Sequence, residues 1–170
     1  MSYPPKNLYW LEYNCLSSLV QDTIWYTHYT DLEHFSEIFP TTEAMSPDQQ
    51  KIVVAFQDMN QILFFDRKNF TSKWLTTSKE LPLLHTTVGQ HYSGVCCTDK
   101  TVLAFRAFPL FPDGRKRERT ISVFDWNGKF KYLLNIEHPL KASFLDEEKG
   151  FLYATDDEDN IRKYNVKDFL

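Results

Sequence analysis

The sequence is poor in glycine, in cysteine and in long apolar runs, and the last two shortages each exclude a class of protein. Its 170 residues include five glycines and three cysteines. Three cysteines are too few for the disulfide scaffold of a small secreted domain. No run approaches the roughly 20 consecutive apolar residues that cross a bilayer as a helix. With 42% hydrophobic and 25% charged residues, the chain is expected to be globular and to have no membrane span.

Positive charge is also in short supply. The chain carries 19 Lys and Arg against 23 Asp and Glu, a net charge of −4. A nucleic-acid binder needs a surplus of cations to displace counterions, so we predict no nucleic-acid partner. The opening segment MSYPPKNLYW has neither the basic nor the apolar region of a signal peptide, so this chain is expected to have no such signal and the compartment stays unassigned.

Motifs that carry chemistry are missing as well. There is no nucleophile elbow, no glycine-rich phosphate loop and no zinc spacing. His85 and His91 lie six residues apart without further assignable ligands, and the acidic segment 156–160 lacks the glycine and distant glutamate of an EF-hand loop. We interpret the cysteines, including the adjacent Cys96 and Cys97, as small core residues. We therefore predict no catalytic residue, no cofactor and no metal.

What the sequence does have is many aromatic residues, 16% of the chain, arranged in a repeat. The segments QILFFDRKNF (61–70), ERTISVFDWNGKF (118–130) and NIRKYNVKDF (160–169) align on Ile62, Ile121 and Ile161. Three residues after each isoleucine comes an aromatic residue, and the next position is Asp or Asn: Phe65 and Asp66, Phe124 and Asp125, Tyr164 and Asn165. An Asx side chain just past a strand caps a turn by accepting a backbone N–H.

The similarity extends upstream of each copy. A polar turn framed by Asp and Lys opens SPDQQKIVVAF (46–56), TDKTVLAFRAF (98–108) and SFLDEEKGFLYA (143–154), and a β-rich run follows. Two isoleucines lie 40 residues apart, and the longer first interval contains the insertion FPLFPDGRKRER. A period near 40 with about four strands per copy is typical of propeller blades. We predict an all-β chain, a partial β-propeller of about three to four four-stranded antiparallel blades.

The repeat divides the single propeller-like domain 1–170 into units. The first blade, 1–41, matches the repeat poorly, and its segment 30–39 is ambiguous between strand and helix. The second blade is 42–87, and the third is 88–138 with an inserted hairpin at 106–119. The last blade, 139–170, lacks an outer strand. Strands that are apolar on both faces are covered on both faces. The predicted core is Val53, Phe64, Phe65, Leu103, Val123, Phe124, Leu152 and Tyr153.

The segments KIVVAFQDMNQILFFD, ISVFDWNGKF and GFLYATDDEDNIRKYNV resemble the C-terminal part of the TolB-like six-bladed β-propeller proteins of bacteria, over residues 40–170. The resemblance implies a fold and no reaction. Six blades of about 40 residues need on the order of 240 residues, so it implies a partial propeller here. Full-length members carry an export or lipoprotein signal, which implies a cell-envelope or secreted location for a longer member.

The inserted hairpin 106–119 is the candidate partner-binding site. It joins an aromatic arm to a basic arm through a Pro-Asp-Gly turn, and aromatic residues and arginine are the usual anchors of interfaces. The candidate residues are Phe108, Phe111, Arg115, Lys116, Arg117 and Arg119. The alternative is a solvated hairpin whose charges protect an edge. Trp74 and Trp126 are candidates for stacking on a sugar or peptide, or for packing between blades.

The favoured function is a non-catalytic binding or scaffold propeller that recognises a protein or a glycan. The alternatives are a propeller hydrolase or lyase acting on a glycan or lactone, and an envelope-tethered sensor domain. An incomplete ring exposes apolar blade faces, so we also expect self-association, in one form as two copies completing a ring.

Overall fold

Strands and tight turns alternate throughout the described part of the chain. The structure is a computed structural model that describes residues 9–14, 19–25, 41–57, 61–76, 91–107, 119–138, 140–156 and 158–170. These residues form antiparallel strands and one short 3-10 helix. Within the same ranges, no helix has the length and apolar character needed to span a membrane. The predicted all-β class is confirmed.

The chain divides into two units, 1–38 and 39–170. In the first unit, β1 (Tyr9–Asn14) pairs antiparallel with β2 (Leu19–Trp25), and the register shifts between Glu12 and Tyr13. β1 is rich in aromatic residues, whereas β2 has polar residues between its apolar ends. The ambiguous segment 30–39 lies outside the described residues.

The described residues of the second unit form three sheets, each a meander in which consecutive strands pair. The first sheet consists of β3 (Thr41–Met45), β4 (Lys51–Phe56), β5 (Gln61–Asp66) and β6 (Thr71–Thr76). The second sheet consists of β7 (Tyr92–Cys97), β8 (Thr101–Ala107), β9 (Arg119–Asp125) and β10 (Phe130–Asn135). The third sheet consists of β11 (Ser143–Asp146), β12 (Phe151–Thr155) and β13 (Ile161–Asn165), and a 3-10 helix (Lys167–Phe169) follows it.

The three repeat isoleucines occupy the same place in their sheets. Ile62, Ile121 and Ile161 lie in β5, β9 and β13, the third strand of each sheet. Strand pairing gives the same result, because the Asx residue that follows each repeat aromatic lies opposite the first residue of the second strand: Asp66 opposite Lys51, Asp125 opposite Thr101 and Asn165 opposite Phe151. The predicted equivalence of the three segments is confirmed.

The predicted Asx caps are present at the end of each third strand. Asn69 N donates to Asp66 Oδ1 over 3.0 Å, Asn127 N to Asp125 Oδ1 over 2.9 Å, and Lys167 N to Asn165 Oδ1 over 3.1 Å. These bonds hold the turns that end the third strands.

The turn between the first two strands of the second sheet contains Asp99 and Lys100 as predicted, but its hydrogen-bond acceptor is Thr98. The sequence suggested Asp99 as its aspartate, in parallel with Asp48 and Asp146. The Thr98 hydroxyl accepts the N–H groups of Lys100 (3.1 Å) and Thr101 (3.0 Å). Asp99 accepts the backbone N–H of Asp48 from the first sheet over 3.3 Å, because a threonine one position earlier already provides the local acceptor.

The core lies in two layers, one on each face of the second sheet. Val102 and Ala104 face the first sheet, and Leu103 and Phe105 face the third, because successive side chains of a strand point to opposite faces. All four are at most 1% exposed. The second sheet is therefore covered on both sides, as in a propeller blade.

Seven of the eight predicted core residues are buried: Val53, Phe64, Phe65, Leu103, Val123, Phe124 and Leu152. Tyr153 is the exception and is only partly buried. It lies on the face of the third sheet that points away from the second sheet, next to the exposed Phe144. Its strand is apolar on both faces, but only one face is covered by another described sheet.

The last hairpin is held by a buried carboxylate. Arg162 Nε donates to Asp156 Oδ2 over 2.7 Å, and the backbone N–H groups of Glu158 and Asn160 donate to Oδ1 over 3.0 and 2.9 Å. Burial opposes ionisation of Asp156, but the Arg162 guanidinium and these N–H groups outweigh it and hold the pKa of the carboxyl below its usual range.

This lowered pKa predicts an acid-sensitive hairpin. A carboxyl whose pKa is lower in the folded state stabilises the fold fully above its unfolded pKa of about 3.9, and the contribution is lost as pH falls from there towards the folded value. We expect stability to fall below about pH 4 and Asp156→Asn to flatten that fall. Urea unfolding at pH 7, 4 and 3 measures this, with the exposed Asp159→Asn as control; equal pH profiles for Asp156→Asn and the parent would contradict it.

Candidate functional site

A cleft of about 340 Å³ opens where the first and second sheets meet. We call it the seam cleft. The first sheet contributes the start of β4, the end of β5 and the start of β6, and the second sheet contributes the turn between β9 and β10. Its lining residues are Lys51, Phe64, Phe65, Asp66, Thr71, Ser72, Lys73, Trp126 and Asn127.

Trp126 is fixed in the wall of this cleft. It follows the cap residue Asp125, and the turn closes through Gly128, whose N–H donates to Asp125 O over 2.9 Å and whose φ of +69° is accessible to glycine at little cost. The indole N–H donates to Thr98 O over 2.9 Å, and the ring meets Phe64 edge to face at 6.4 Å. The indole is therefore held before any ligand arrives.

Two lysines come to the seam cleft from different strands. Lys51 Nζ lies 5.6 Å from the centroid of the Trp126 ring, within the range of a cation–π interaction. Lys73 Nζ reaches across the seam and donates to Asn127 O. Both ammonium groups are thus held by neutral partners, the indole ring and a carbonyl, which leaves their charge uncompensated by these contacts.

Asp66 is the acidic group of the cleft. Burial raises the pKa of Asp66. The backbone N–H of Asn69 at 3.0 Å, its Nδ2 group at 2.8 Å and the charge of the nearby Lys51 lower that pKa by more than burial raises it. The net result is a pKa below the usual range, so the carboxylate is ionised at neutral pH. The lining residues carry two ammonium groups and one carboxylate, and the charge of Lys51 acts on Asp48 as well as on Asp66.

Metal ligands and reactive thiols are two kinds of group that could carry chemistry among the described residues. Within these ranges, no group of three or more His, Cys, Asp or Glu side chains is placed to hold a metal ion. Burial raises the pKa of Cys96 and of Cys97 to about 12, so neither thiol is a ready nucleophile at neutral pH. The cleft presents a fixed aromatic ring, two cations, one carboxylate and two hydroxyl groups.

Most of the predicted site residues cannot be placed. Phe108, Phe111, Arg115, Lys116 and Arg117 lie outside the described residues, and their role in a partner contact stays a prediction. Arg119 begins β9, and its guanidinium donates to the carbonyl of Glu137 in the following loop.

The two candidate tryptophans have different surroundings. Trp74 stacks on Phe56 at 5.5 Å within the first sheet, which favours the packing alternative. Trp126 packs on Phe64 and also lines the seam cleft. His85 lies outside the described residues, and His91 stands just before β7.

Lys51 and Lys73 were missed as site residues. In the sequence, Lys51 ends a polar turn and Lys73 follows Thr71 and Ser72. Both positions are typical of lysines that face solvent. Trp126 was the one signal of this site in the sequence, because turn positions are usually occupied by small or polar residues and an aromatic residue there suggests a contact with another part of the chain.

No family model matches this sequence, and no curated protein matches it. Solved structures do: the WD40 domain of Toxoplasma gondii coronin is similar at a TM-score of 0.55 and 15% identity, over 90% of this chain and 36% of that one. Hsv2 of Kluyvelomyces marxianus matches at 0.43 and 12% identity, over 75% of this chain and 34% of that one. The tricorn protease matches at a TM-score of 0.48 and 8% identity, over 91% of this chain and 18% of that one.

The coronin match shows the fold. Together with the two four-stranded sheets and the three-stranded sheet stacked on them, it shows that the chain has the architecture of a partial β-propeller. The chain spans about a third of the length of the coronin domain. At this level of identity the likeness concerns the fold alone, since propellers carry many functions.

Proposed function

We propose that this chain is a non-catalytic propeller module that binds an acidic segment of a protein partner in the seam cleft. The observation that carries the proposal is the pair Lys51 and Lys73, held on either side of the fixed Trp126 by an indole ring and a backbone carbonyl. Neither contact neutralises a charge. An incoming carboxylate gains charge-assisted hydrogen bonds without breaking an ion pair.

A protein ligand fits this cleft better than a glycan does. A sugar ring binds a tryptophan by stacking on its face, but Lys51 already lies over the face of Trp126. Stacking would displace that ammonium group, whereas a carboxylate would join it. The hydroxyls of Thr71 and Ser72 in the same cleft add hydrogen-bonding groups at its polar end.

Binding of an acid-only probe tests the proposal. We expect a fluorescent octapeptide containing four glutamates among serines to bind, and Lys51→Gln and Lys73→Gln each to weaken it about tenfold, since loss of one charge-assisted hydrogen bond costs about 1.5 kcal/mol. Fluorescence polarisation at two salt concentrations measures the affinity, and higher salt should lower it.

Lys68→Gln is the matched control, because Lys68 is an exposed lysine on the turn between β5 and β6 but does not line the cleft. It should bind as the parent does. Equal losses for all three lysine variants would mean general charge attraction, and no saturable binding to the parent would refute an acidic ligand.

We infer from the resemblance of residues 40–170 that the chain is related to the bacterial TolB-like six-bladed propellers. What supports this is the repeat of isoleucine, aromatic and Asx residues on the third strands of three consecutive sheets.

We further propose that copies of the chain self-associate through the outer face of the third sheet, the face that carries Phe144, Tyr153, Ile161 and Lys163. Pairing places Tyr153 and Ile161 at the positions that Val53 and Ile62 hold in the first sheet and Leu103 and Ile121 hold in the second. Those four residues are 0% exposed beneath the next sheet, whereas Ile161 is 77% exposed.

A further inference from the structure

The outer strand of the second sheet combines an apolar sequence with an exposed surface. β10 reads FKYLLN, and Phe130, Tyr132 and Leu133 are 54%, 47% and 49% exposed. It lies at the edge of its sheet, and among the described strands only β9 pairs with it. An exposed apolar edge strand is a template for pairing with another chain, and edges are normally protected by charge. β10 has one charged residue, Lys131, whereas the outer strand β13 has two adjacent ones.

A shallow apolar groove of about 300 Å³ runs beside β10 on the side of the first sheet. Leu75 of β6 forms one wall, and Phe130 and Leu133 of β10 form the other. The remaining lining residues are Arg106, Ser122, Phe124 and Gly128. The groove has room for side chains of an extended segment lying along β10.

The groove continues the seam cleft. Lys73 and Leu75 lie on the same face of β6, because Lys73 pairs with Phe64 and Leu75 with Ile62. Lys73 lines the cleft and Leu75 the groove, two residues further along the strand. On the opposite wall, Asn127 of the cleft is followed by Gly128 of the groove. One ligand segment can therefore occupy both.

We propose that the partner segment is an extended strand that pairs antiparallel with β10, with apolar side chains in the groove and acidic residues at its C-terminal end in the seam cleft. The inference rests on the proposed function and names the ligand more closely. The direction of β10 sets the order of apolar and acidic residues in the partner segment. β10 begins near the cleft at Phe130 and runs away from it to Asn135, so the C-terminal end of an antiparallel segment lies at the cleft. Antiparallel pairing is the more stable arrangement and the one used by every described sheet.

The register change in β10 shows which part of the strand is available. The pairing of β10 with β9 shifts between Phe130 and Tyr132, and a bulge of this kind disturbs the edge locally. From Tyr132 to Asn135 the pairing is regular. Four residues of regular edge extend about 13 Å, which matches an added strand of four to five residues.

Three fluorescent peptides of equal length test the proposal. In the first, leucine and valine alternate with threonine over five residues and two glutamates follow; in the second, the glutamates come first; in the third, serine replaces every apolar residue. We expect the first to bind at least tenfold more tightly than the other two. Methylation of alternate backbone nitrogens facing β10 should remove that advantage, because a β-ladder needs those N–H groups.

Variants locate the binding strand. Leu133→Lys should reduce the affinity for the first peptide about tenfold and leave the serine peptide unchanged. Phe144→Lys, at an exposed apolar position on the edge strand of the third sheet, should change neither affinity. Equal affinity for the three peptides, or an equal effect of the two variants, would overturn the strand proposal while the acidic cleft stands. Failure of the serine peptide to respond to Lys51→Gln would instead count against the proposed function.

Discussion

Replacing Phe124 with alanine is expected to lower the free energy of unfolding by about 3–5 kcal/mol, the usual cost of removing a buried aromatic side chain and leaving a cavity. Phe124 is 3% exposed and lies on the third strand of the second sheet, facing the first sheet. Its ring meets Phe64 at 6.2 Å and Phe130 at 5.9 Å, both edge to face. The change therefore weakens the contact between two sheets as well as the packing of one.

Urea unfolding followed by tryptophan fluorescence measures this loss. With a denaturant slope of about 1–3 kcal/mol per molar urea, the midpoint should fall by more than 1 M. Phe144→Ala is the matched control, because Phe144 is a phenylalanine on a strand but is 65% exposed, and it should shift the midpoint much less. A Phe124→Ala protein that unfolds at the parent's urea concentration would contradict a core covered on both faces.

The second large effect concerns the oligomeric state. We expect the purified chain to form dimers or larger species at tens of micromolar, because the outer face of the third sheet exposes Ile161 and Phe144 where the earlier sheets are covered. Lys163 moderates this expectation: its ammonium group lies 3.7 Å from the centroid of the Phe151 ring, which places a charge on the same face.

Light scattering during size-exclusion chromatography measures the mass of the species in solution. Ile161→Lys and Phe144→Lys should each move the protein to the mass of one chain, since a like charge added beside Lys163 opposes association. Leu133→Lys is the control, an exposed apolar position on a different sheet, and should keep the parent's mass. A parent protein that is already monomeric at that concentration would refute self-association through this face.

The strands and turns of the three sheets could be predicted because they depend on residues close in sequence. The spacing of isoleucine, aromatic and Asx residues places Ile62, Ile121 and Ile161 on equivalent strands, since a strand side chain and the cap that follows it interact within a few residues. The same reasoning identified Phe124 as buried, because a strand that is apolar on both faces must be covered on both.

Three features depended on the tertiary structure. The sequence of β12 is as apolar as that of β4, but Tyr153 is only partly buried, because burial depends on whether another sheet packs on that face. Asp99 lies in its predicted polar turn, but its carboxylate accepts an N–H of the first sheet while Thr98 accepts the N–H groups of the turn, a contact between sheets that the local sequence does not specify.

The seam cleft is the third such feature and the one that bears on function. Lys51, Lys73 and Trp126 are separated by up to 75 residues and belong to two sheets, and each has an ordinary role in its own segment. The sequence by itself determined the repeating blade, because strand pairing and turn capping are local. Only the packing of one blade on the next brought two cations to a fixed indole, because that contact is set by the stacking of sheets and leaves no periodic mark on the chain.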